Sequence, residues 1–232
     1  MSENHNTMIM KAFCFTLFLA LTLTACIQDD IVFDTVEPEL RITRAVDTIA
    51  LDSSYQFDAI YLNNVGVAEA IDILWQSTAP DIIDIDADGL ATALQLGSAT
   101  ITASFDDGTQ LVQDEVEVHT GEETISLPSE RSGVIRTTSS YLLEGDFTLS
   151  EQGANLQLEV AENYRASTAL PGLYIYLTNN PNTIANALEI GAVETFTGAH
   201  SYTIPNTSLD TYNYVLYFCK PFNVKVGDGQ IQ

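Results

Sequence analysis

Residues 75–103 read WQSTAPDIIDIDADGLATALQLGSATITA, and their pattern predicts the fold of the first half of the chain. Apolar and polar residues alternate here in short runs, the period-two pattern of β-strands with one buried face. Asp88-Gly89 separates two such runs and predicts a hairpin turn with a positive φ at Gly89. Gly97 opens a further strand after a tight turn. Trp75 is the large side chain expected to fill the core between the sheets.

Three motifs follow one another in this stretch. They are Trp-x-Ser-x-x-Pro from Trp75, Gly-Leu-x-Thr-Ala from Gly89 and Gly-x-Ala-x-Ile-x-Ala from Gly97. With this order and spacing, residues 37–119 resemble the bacterial immunoglobulin-like domain, group two. The resemblance implies a β-sandwich that serves as a spacer or adhesive module on bacterial and phage surface proteins.

The second half of the chain, residues 132–232, is also predicted to consist of strands. Leu156, Leu158 and Val160 alternate with polar residues, and residues 214–219 (YVLYFC) are continuously apolar, as in a strand covered on both faces. Even spacing of short strands favours a sandwich. We therefore predict an all-β protein with two β-sandwich domains in tandem.

Residues 212–224 (YNYVLYFCKPFNV) fit the pattern Tyr-x-x-Val-x-x-x-Cys-x-x-Phe-x-Val and follow a Tyr-x-Ile-Pro step. In these features the second half resembles the DM-thirteen domain, sometimes described as an electron-transfer domain. The resemblance implies a redox role for Cys219, as a bare thiol or as a ligand to a bound group such as haem. Residues 170–172 and 226–229 depart from the family pattern, and Tyr141 stands near the place of a usual His, which weakens an inherited activity.

The N-terminus is predicted to be a lipoprotein signal peptide. Residues 12–23 (AFCFTLFLALTL) consist of apolar residues and Thr, and Lys11 precedes them as the positive charge of a signal peptide. This stretch is too short to span a bilayer, which needs ~20 apolar residues. Residues 23–26 (LTAC) resemble the bacterial lipobox, after which Cys26 would receive lipid. The alternative is an ordinary signal peptide with an incidental Cys. The lipobox predicts an outer-membrane lipoprotein that is attached to the membrane through its lipid anchor.

An acidic stretch follows Cys26, with Asp29, Asp30 and Asp34. It resembles the surface-export signal of Bacteroidota lipoproteins, which implies exposure on the cell surface. A solvated acidic tether explains the same residues equally well. The predicted organisation is a signal peptide at 1–25, Cys26 and tether at 26–36, an Ig-like domain at 37–119, a polar linker at 120–131 and a DM-thirteen-like domain at 132–232.

The composition narrows the classes of function. The 8 Lys and Arg against 32 Asp and Glu in 232 residues give a net charge of −24, whereas proteins that bind nucleic acids carry basic patches. No nucleic-acid partner is therefore expected. The charge also argues against electrostatic adhesion to anionic lipid.

Few residues point to chemistry. Asp84, Asp86 and Asp88 resemble the start of a calcium loop, but the position of the bidentate Glu holds Gln95, so a hairpin turn is the favoured interpretation. His119 at the border of the linker and His200 in a Gly-Ala-His-Ser turn have no metal-ligand spacing. No catalytic residue can be chosen, and an ordinary hydrolase or transferase is not indicated.

Two functions remain for comparison. In the first, the chain is a non-catalytic surface protein whose Ig-like domain presents the second domain to a cell-surface protein or glycan, without a cofactor. In the second, it is a redox protein acting through Cys219, with haem as the implied cofactor. The apolar run before Cys219 favours a buried thiol, and Lys220 need not approach it, because neighbours in a strand point to opposite faces.

Overall fold

The computed structural model describes residues 34–127 and 129–232, within one compact unit from Asp34 to Gln232. The predicted signal peptide, Cys26 and the tether as far as Phe33 lie outside the described residues. In the part that is described, the elements are β-strands and a 3-10 turn at Lys220–Phe222, with no α-helix. The all-β prediction is therefore confirmed. Nowhere in those residues is there a helix of the length and apolar character needed to cross a bilayer.

The N-terminal half, residues 34–127, contains eleven short strands. In chain order they are β1 (Glu39–Thr43), β2 (Val46–Ala50), β3 (Ser54–Gln56), β4 (Asp58–Leu62), β5 (Ala68–Glu69), β6 (Leu74–Ser77), β7 (Ile83–Ile85), β8 (Leu90–Ala93), β9 (Ser98–Asp106), β10 (Leu111–Gly121) and β11 (Ile125–Ser126). Their apolar residues alternate inward as the sequence pattern predicts, for example Ala99, Ile101 and Ala103 in β9.

These strands form three hydrogen-bonded sheets around one core. The strand orders are β1-β4-β5, β11-β2-β10-β9-β6 and β3-β8-β7. β2 and β10 pair in parallel, and the other pairs within these sheets are antiparallel. Trp75 packs in the core beside Phe57, with 6.2 Å between the ring centroids, as expected of the large core side chain.

Gly89 is required at its position for two reasons. Its φ is +83°, a left-handed conformation that residues with a Cβ adopt at a cost. A Cβ there would also lie 2.9 Å from the carbonyl oxygen of Phe57 and 3.0 Å from the Trp75 ring. The predicted hairpin turn at Asp88-Gly89 is confirmed, and it sits directly against the core tryptophan.

The C-terminal half, residues 129–232, contains nine strands in a single sheet. They are β12 (Glu130–Thr137), β13 (Leu143–Gln152), β14 (Asn155–Val160), β15 (Arg165–Ala166), β16 (Leu173–Thr178), β17 (Leu188–Ala192), β18 (His200–Pro205), β19 (Tyr214–Cys219) and β20 (Val224–Gln230). The order is β17-β16-β19-β20-β12-β13-β14-β18, and β15 pairs with β13.

This sheet folds over itself around one core. Side chains from strands far apart in the sheet order, such as Ile175 in β16 and Leu158 in β14, belong to the same buried cluster. On the opposite face of β16 and β19, Tyr176, Leu216 and Phe218 form a second cluster. Strand β19 is therefore covered on both faces, as its continuous apolar run predicts.

The stretch predicted as a linker, residues 120–131, contains parts of three strands. β10 continues to Gly121, β11 pairs with β2, and β12 begins at Glu130. His119 lies within β10 rather than in a linker, because it pairs with Ser98 of β9 on one side and Thr48 of β2 on the other. The predicted domain boundaries stay a prediction.

Candidate functional site

Cys219 lies at the end of β19 with none of its surface exposed to solvent. Its strand neighbours are Leu173 of β16 and Val224 of β20, and its side chain belongs to the apolar core of the C-terminal half. Burial of this residue was the expectation from the sequence and is confirmed. A thiol enclosed in this way cannot meet an external disulfide or a docked redox partner unless the strand opens.

Lys220 does not face the thiol. Its ammonium group donates a hydrogen bond to Glu189 Oε2 at 2.7 Å and lies 4.8 Å from the centroid of the Tyr174 ring, on the outer face of the sheet. This hydrogen bond lowers the pKa of the Glu189 carboxyl and raises the pKa of Lys220. Burial, followed by the hydrogen bond to Glu189, raises the pKa of Tyr176 to about 12. Lys220 is thus engaged on the outer face and provides no activation of Cys219.

We expect Cys219 in the native protein to react slowly with a thiol reagent. The protein for this test is residues 26–232 with Cys26→Ala, in which Cys219 is the single thiol; it is called the mature Cys26→Ala chain. Because the thiol is buried, labelling of the native chain at neutral pH should be at least about 100-fold slower than labelling of the chain unfolded in urea. A free energy of ~2.7 kcal/mol for local opening of the structure around the thiol slows the reaction by that factor. Equal labelling rates in the native and unfolded chain would contradict this prediction.

The three aspartates of the predicted calcium cluster lie in and beside a β-hairpin turn. Asp86 Oδ1 accepts hydrogen bonds from the backbone N–H groups of Asp88 and Leu90, both at 2.9 Å. Across the described ranges, no group of three or more His, Cys, Asp or Glu residues is placed to hold a metal ion. Asp84, Asp86 and Asp88 are therefore not brought together as such a group.

A polar junction between the two halves is the most connected group of charged residues in the described part of the chain. Its centre is Arg41 in β1, only 6 % exposed. The guanidinium donates to Glu39 Oε1 at 3.0 Å, to the Asp210 carbonyl at 2.6 Å and to Asn179 Oδ1 at 3.5 Å. Asn213 of the C-terminal half donates to the other oxygen of Glu39. One arginine thus connects the first strand to two loops of the C-terminal half.

The Asp210 carboxylate forms a second connection in this junction. It accepts from Arg131 Nη2 at 2.6 Å and from the backbone N–H of Arg44 at 3.1 Å. Two of the seven basic side chains in 34–232, those of Arg41 and Arg131, therefore bind at this junction, although the chain as a whole is strongly acidic. A concentration of the few cations at one place compensates acidic groups that would otherwise repel each other.

Two further contacts close the junction. Gly66, with a φ of +77°, packs against Asn179, and a Cβ on Gly66 would lie 3.0 Å from the carbonyl carbon of that residue. The chain also enters the described unit here, because Asn180 donates to the carbonyl of Asp34 and Asn182 to that of Thr35. A groove of about 530 Å³ remains beside these contacts, lined by side chains of both halves.

Sequence reasoning did not identify this junction. The available signal was Arg41 itself: Leu40 and Ile42 point into the core, so Arg41 must point out of the sheet. An arginine on that face is normally solvated, and nothing in the local sequence shows that a loop 169 residues later covers it.

Part of the chain is similar to a known family of domains. Residues 38–116 match the family model of the bacterial Ig-like domain (group 2), about a third of the chain. No curated protein matches the chain. A crystal structure of domains 4 and 5 of the S-layer protein SbsC is similar over 83 % of this chain and 96 % of that one, at 11 % identity and a TM-score of 0.28. A second structure, the S-layer protein rSbsC(31-844), is similar at 11 % identity and a TM-score of 0.27, with 27 % of that chain covered. At these TM-scores neither structure supports an inference about this chain.

Proposed function

We propose that this protein is a non-catalytic cell-envelope protein, anchored through lipid on Cys26, whose Ig-like domain supports a C-terminal β domain that binds a partner at the cell surface. The observation that carries the proposal is the junction around Arg41. It holds the two halves in one arrangement through partly buried, charge-assisted hydrogen bonds, as a presenting module requires. Cell-surface protein and glycan are the two partner classes that we expect.

The junction favours one of the two roles implied for the Ig-like domain. Asp34 and Thr35, at the start of the described residues, contact Asn180 and Asn182 of the C-terminal half. If the Ig-like domain were a pure spacer, it would separate the N-terminal end of the described residues from the C-terminal domain. Here the chain enters beside both halves, so the Ig-like domain acts as an adhesive or bracing module at the side of the C-terminal domain.

We propose further that the C-terminal half is a DM-thirteen-like domain. Support comes from the strand that carries the resemblance, since β19 is central in its sheet and is covered on both faces. The redox function that the resemblance implies is not favoured. Cys219 is enclosed in an apolar core, and Lys220 is engaged by Glu189 on the other face.

Lipid anchoring is tested by Cys26→Ala in the full-length chain expressed in a bacterium that processes lipoproteins. We expect loss of acyl labelling and release of the protein from the membrane fraction, because a stable anchor needs the covalently attached chains. The control is Cys14→Ala, which removes a cysteine of the predicted signal peptide and should leave both properties unchanged. Unchanged membrane partitioning of the Cys26→Ala chain would refute the anchor.

The choice between binding and redox function is tested with the mature Cys26→Ala chain and the same chain with Cys219→Ala. We expect haem titration to give the same visible spectrum for both, and the labelled chain to bind saturably to isolated cell envelopes. A haem absorption band that depends on Cys219 would support the redox function. Failure of both chains to bind envelopes would count against the presenting role.

A further inference from the structure

The core of the C-terminal half contains three buried polar atoms that no described residue meets in good hydrogen-bond geometry. They are the hydroxyl oxygens of Tyr164 and Tyr217 and the Nε2 atom of His200, and together they are called the interior polar cluster below. Both tyrosines are completely buried. Buried polar groups are nearly always hydrogen-bonded, and a hydroxyl left without a partner loses its solvation with no compensation.

The three side chains lie against one another. The ring centroids of Tyr164 and His200 are 4.8 Å apart, and those of Tyr164 and Tyr217 are 5.9 Å apart. His200 is the first residue of β18 and points inward, like Tyr202 and Ile204 on the same strand. The three side chains therefore lie next to one another in an otherwise apolar interior.

The hydrogen-bonding character of each group can be assigned. His200 Nδ1 lies 2.9 Å from the carbonyl oxygen of Gly198, which only accepts, so Nδ1 carries the proton. In the neutral ring, Nε2 is then an acceptor. Burial is the main cause that raises the pKa of Tyr164 and Tyr217 above the ordinary value, so both hydroxyls keep their protons and can donate. The two hydroxyls also interact with each other, lowering the pKa of Tyr164 and raising that of Tyr217, but they do not meet in good hydrogen-bond geometry. The cluster thus offers two donors and one acceptor.

We propose that the interior polar cluster binds a structural water molecule. A water molecule accepts up to two hydrogen bonds and donates up to two, which suits a pair of tyrosine hydroxyls and one imidazole acceptor. Internal waters in proteins commonly make about three such bonds to otherwise unpaired groups. An apolar ligand would leave all three atoms unpaired, and a charged one would meet no compensating charge among these side chains. The water connects β19, which also carries Cys219, to β18 across the core.

The first test is the sign of a stability change. Tyr217→Phe and Tyr164→Phe should each lower the urea midpoint of the mature Cys26→Ala chain, because the water loses one of its partners. If the hydroxyls were unpaired in solution, phenylalanine would relieve the cost of burying them, and the midpoint would rise. A raised or unchanged midpoint overturns the proposal. Tyr61→Phe, at a buried tyrosine of the N-terminal half that is not part of the cluster, is the matched control and should leave the midpoint unchanged.

The second test detects the water directly. Oxygen-17 magnetic relaxation dispersion counts water molecules that stay in a protein for longer than its tumbling time. We expect the Tyr164→Phe/Tyr217→Phe double variant to hold one long-lived water fewer than the parent chain, and Tyr61→Phe to hold the same number. An equal count in the parent and the double variant, with both folded, would overturn the proposal.

Discussion

Replacing Arg41 with alanine should lower the free energy of unfolding of the mature chain by about 3 kcal/mol, because removing one partner of a buried ionic group leaves the others uncompensated. The groups left behind are the Glu39 carboxylate, the Asp210 carbonyl and the Asn179 amide oxygen. Glu39 is 40 % exposed and regains water, which keeps the expected loss at the lower end of the range for buried pairs.

The measurement uses two signals from one urea titration of the Cys26→Ala chain. Trp75 is the single tryptophan and lies in the N-terminal half, so its fluorescence reports that half alone. Far-UV circular dichroism reports both halves. We expect the two signals to change together in the parent chain and at different urea concentrations in Arg41→Ala, because the junction that couples the halves is lost.

Arg44→Ala is the matched control for this prediction. The Arg44 side chain is 75 % exposed, and its one ionic contact among the described residues, with Asp58, is at 3.9 Å. Its connection to Asp210 runs through the backbone N–H, which alanine retains. Because exposed ion pairs contribute little, the change should stay below about 0.5 kcal/mol. Equal effects of the two substitutions would show that Arg41 does not have the role assigned to it.

Gly133→Ala should destabilise the C-terminal half by about 3 kcal/mol, the upper end of the usual cost of overpacking. Gly133 lies in the middle of β12, opposite Phe147 of β13. A Cβ there would overlap the carbonyl oxygen of Gln230 and lie 2.6 Å from Cε1 of Phe147. Neither the β20 backbone nor a ring fixed in the core can move away without breaking other contacts.

The control for this prediction is Gly153→Ala, at the turn between β13 and β14. A Cβ at Gly153 would have no atom within 4 Å, but its φ is +67°, so only the backbone cost of about 1 kcal/mol applies. Urea unfolding followed by circular dichroism measures both variants. A Gly133→Ala chain as stable as Gly153→Ala would contradict the packing seen around Phe147.

The strands and turns were predictable because the information for them is local. Alternating residues such as Ala99, Ile101 and Ala103 show which face of a strand is buried, since that pattern has the period of the backbone itself. The Asp88-Gly89 turn was predictable because its positive φ selects glycine. The buried position of Cys219 followed from the apolar run before it.

The all-β class, the Ig-like character of the first half, the hairpin turn beside Trp75 and the burial of Cys219 thus follow from local sequence. The roles of Arg41, Gly133 and His200 become visible in the folded chain alone. In the sequence, Arg41 resembles any solvated arginine on the outer face of a strand. Gly133 resembles a weak strand position, and His200 resembles a turn residue. Their roles depend on groups brought close by folding, such as the Asp210 carbonyl, 169 residues after Arg41. A periodic pattern records which face of a strand is covered, because that requirement acts on neighbouring residues. It does not record which distant group covers that face, because that contact depends on how the sheets pack.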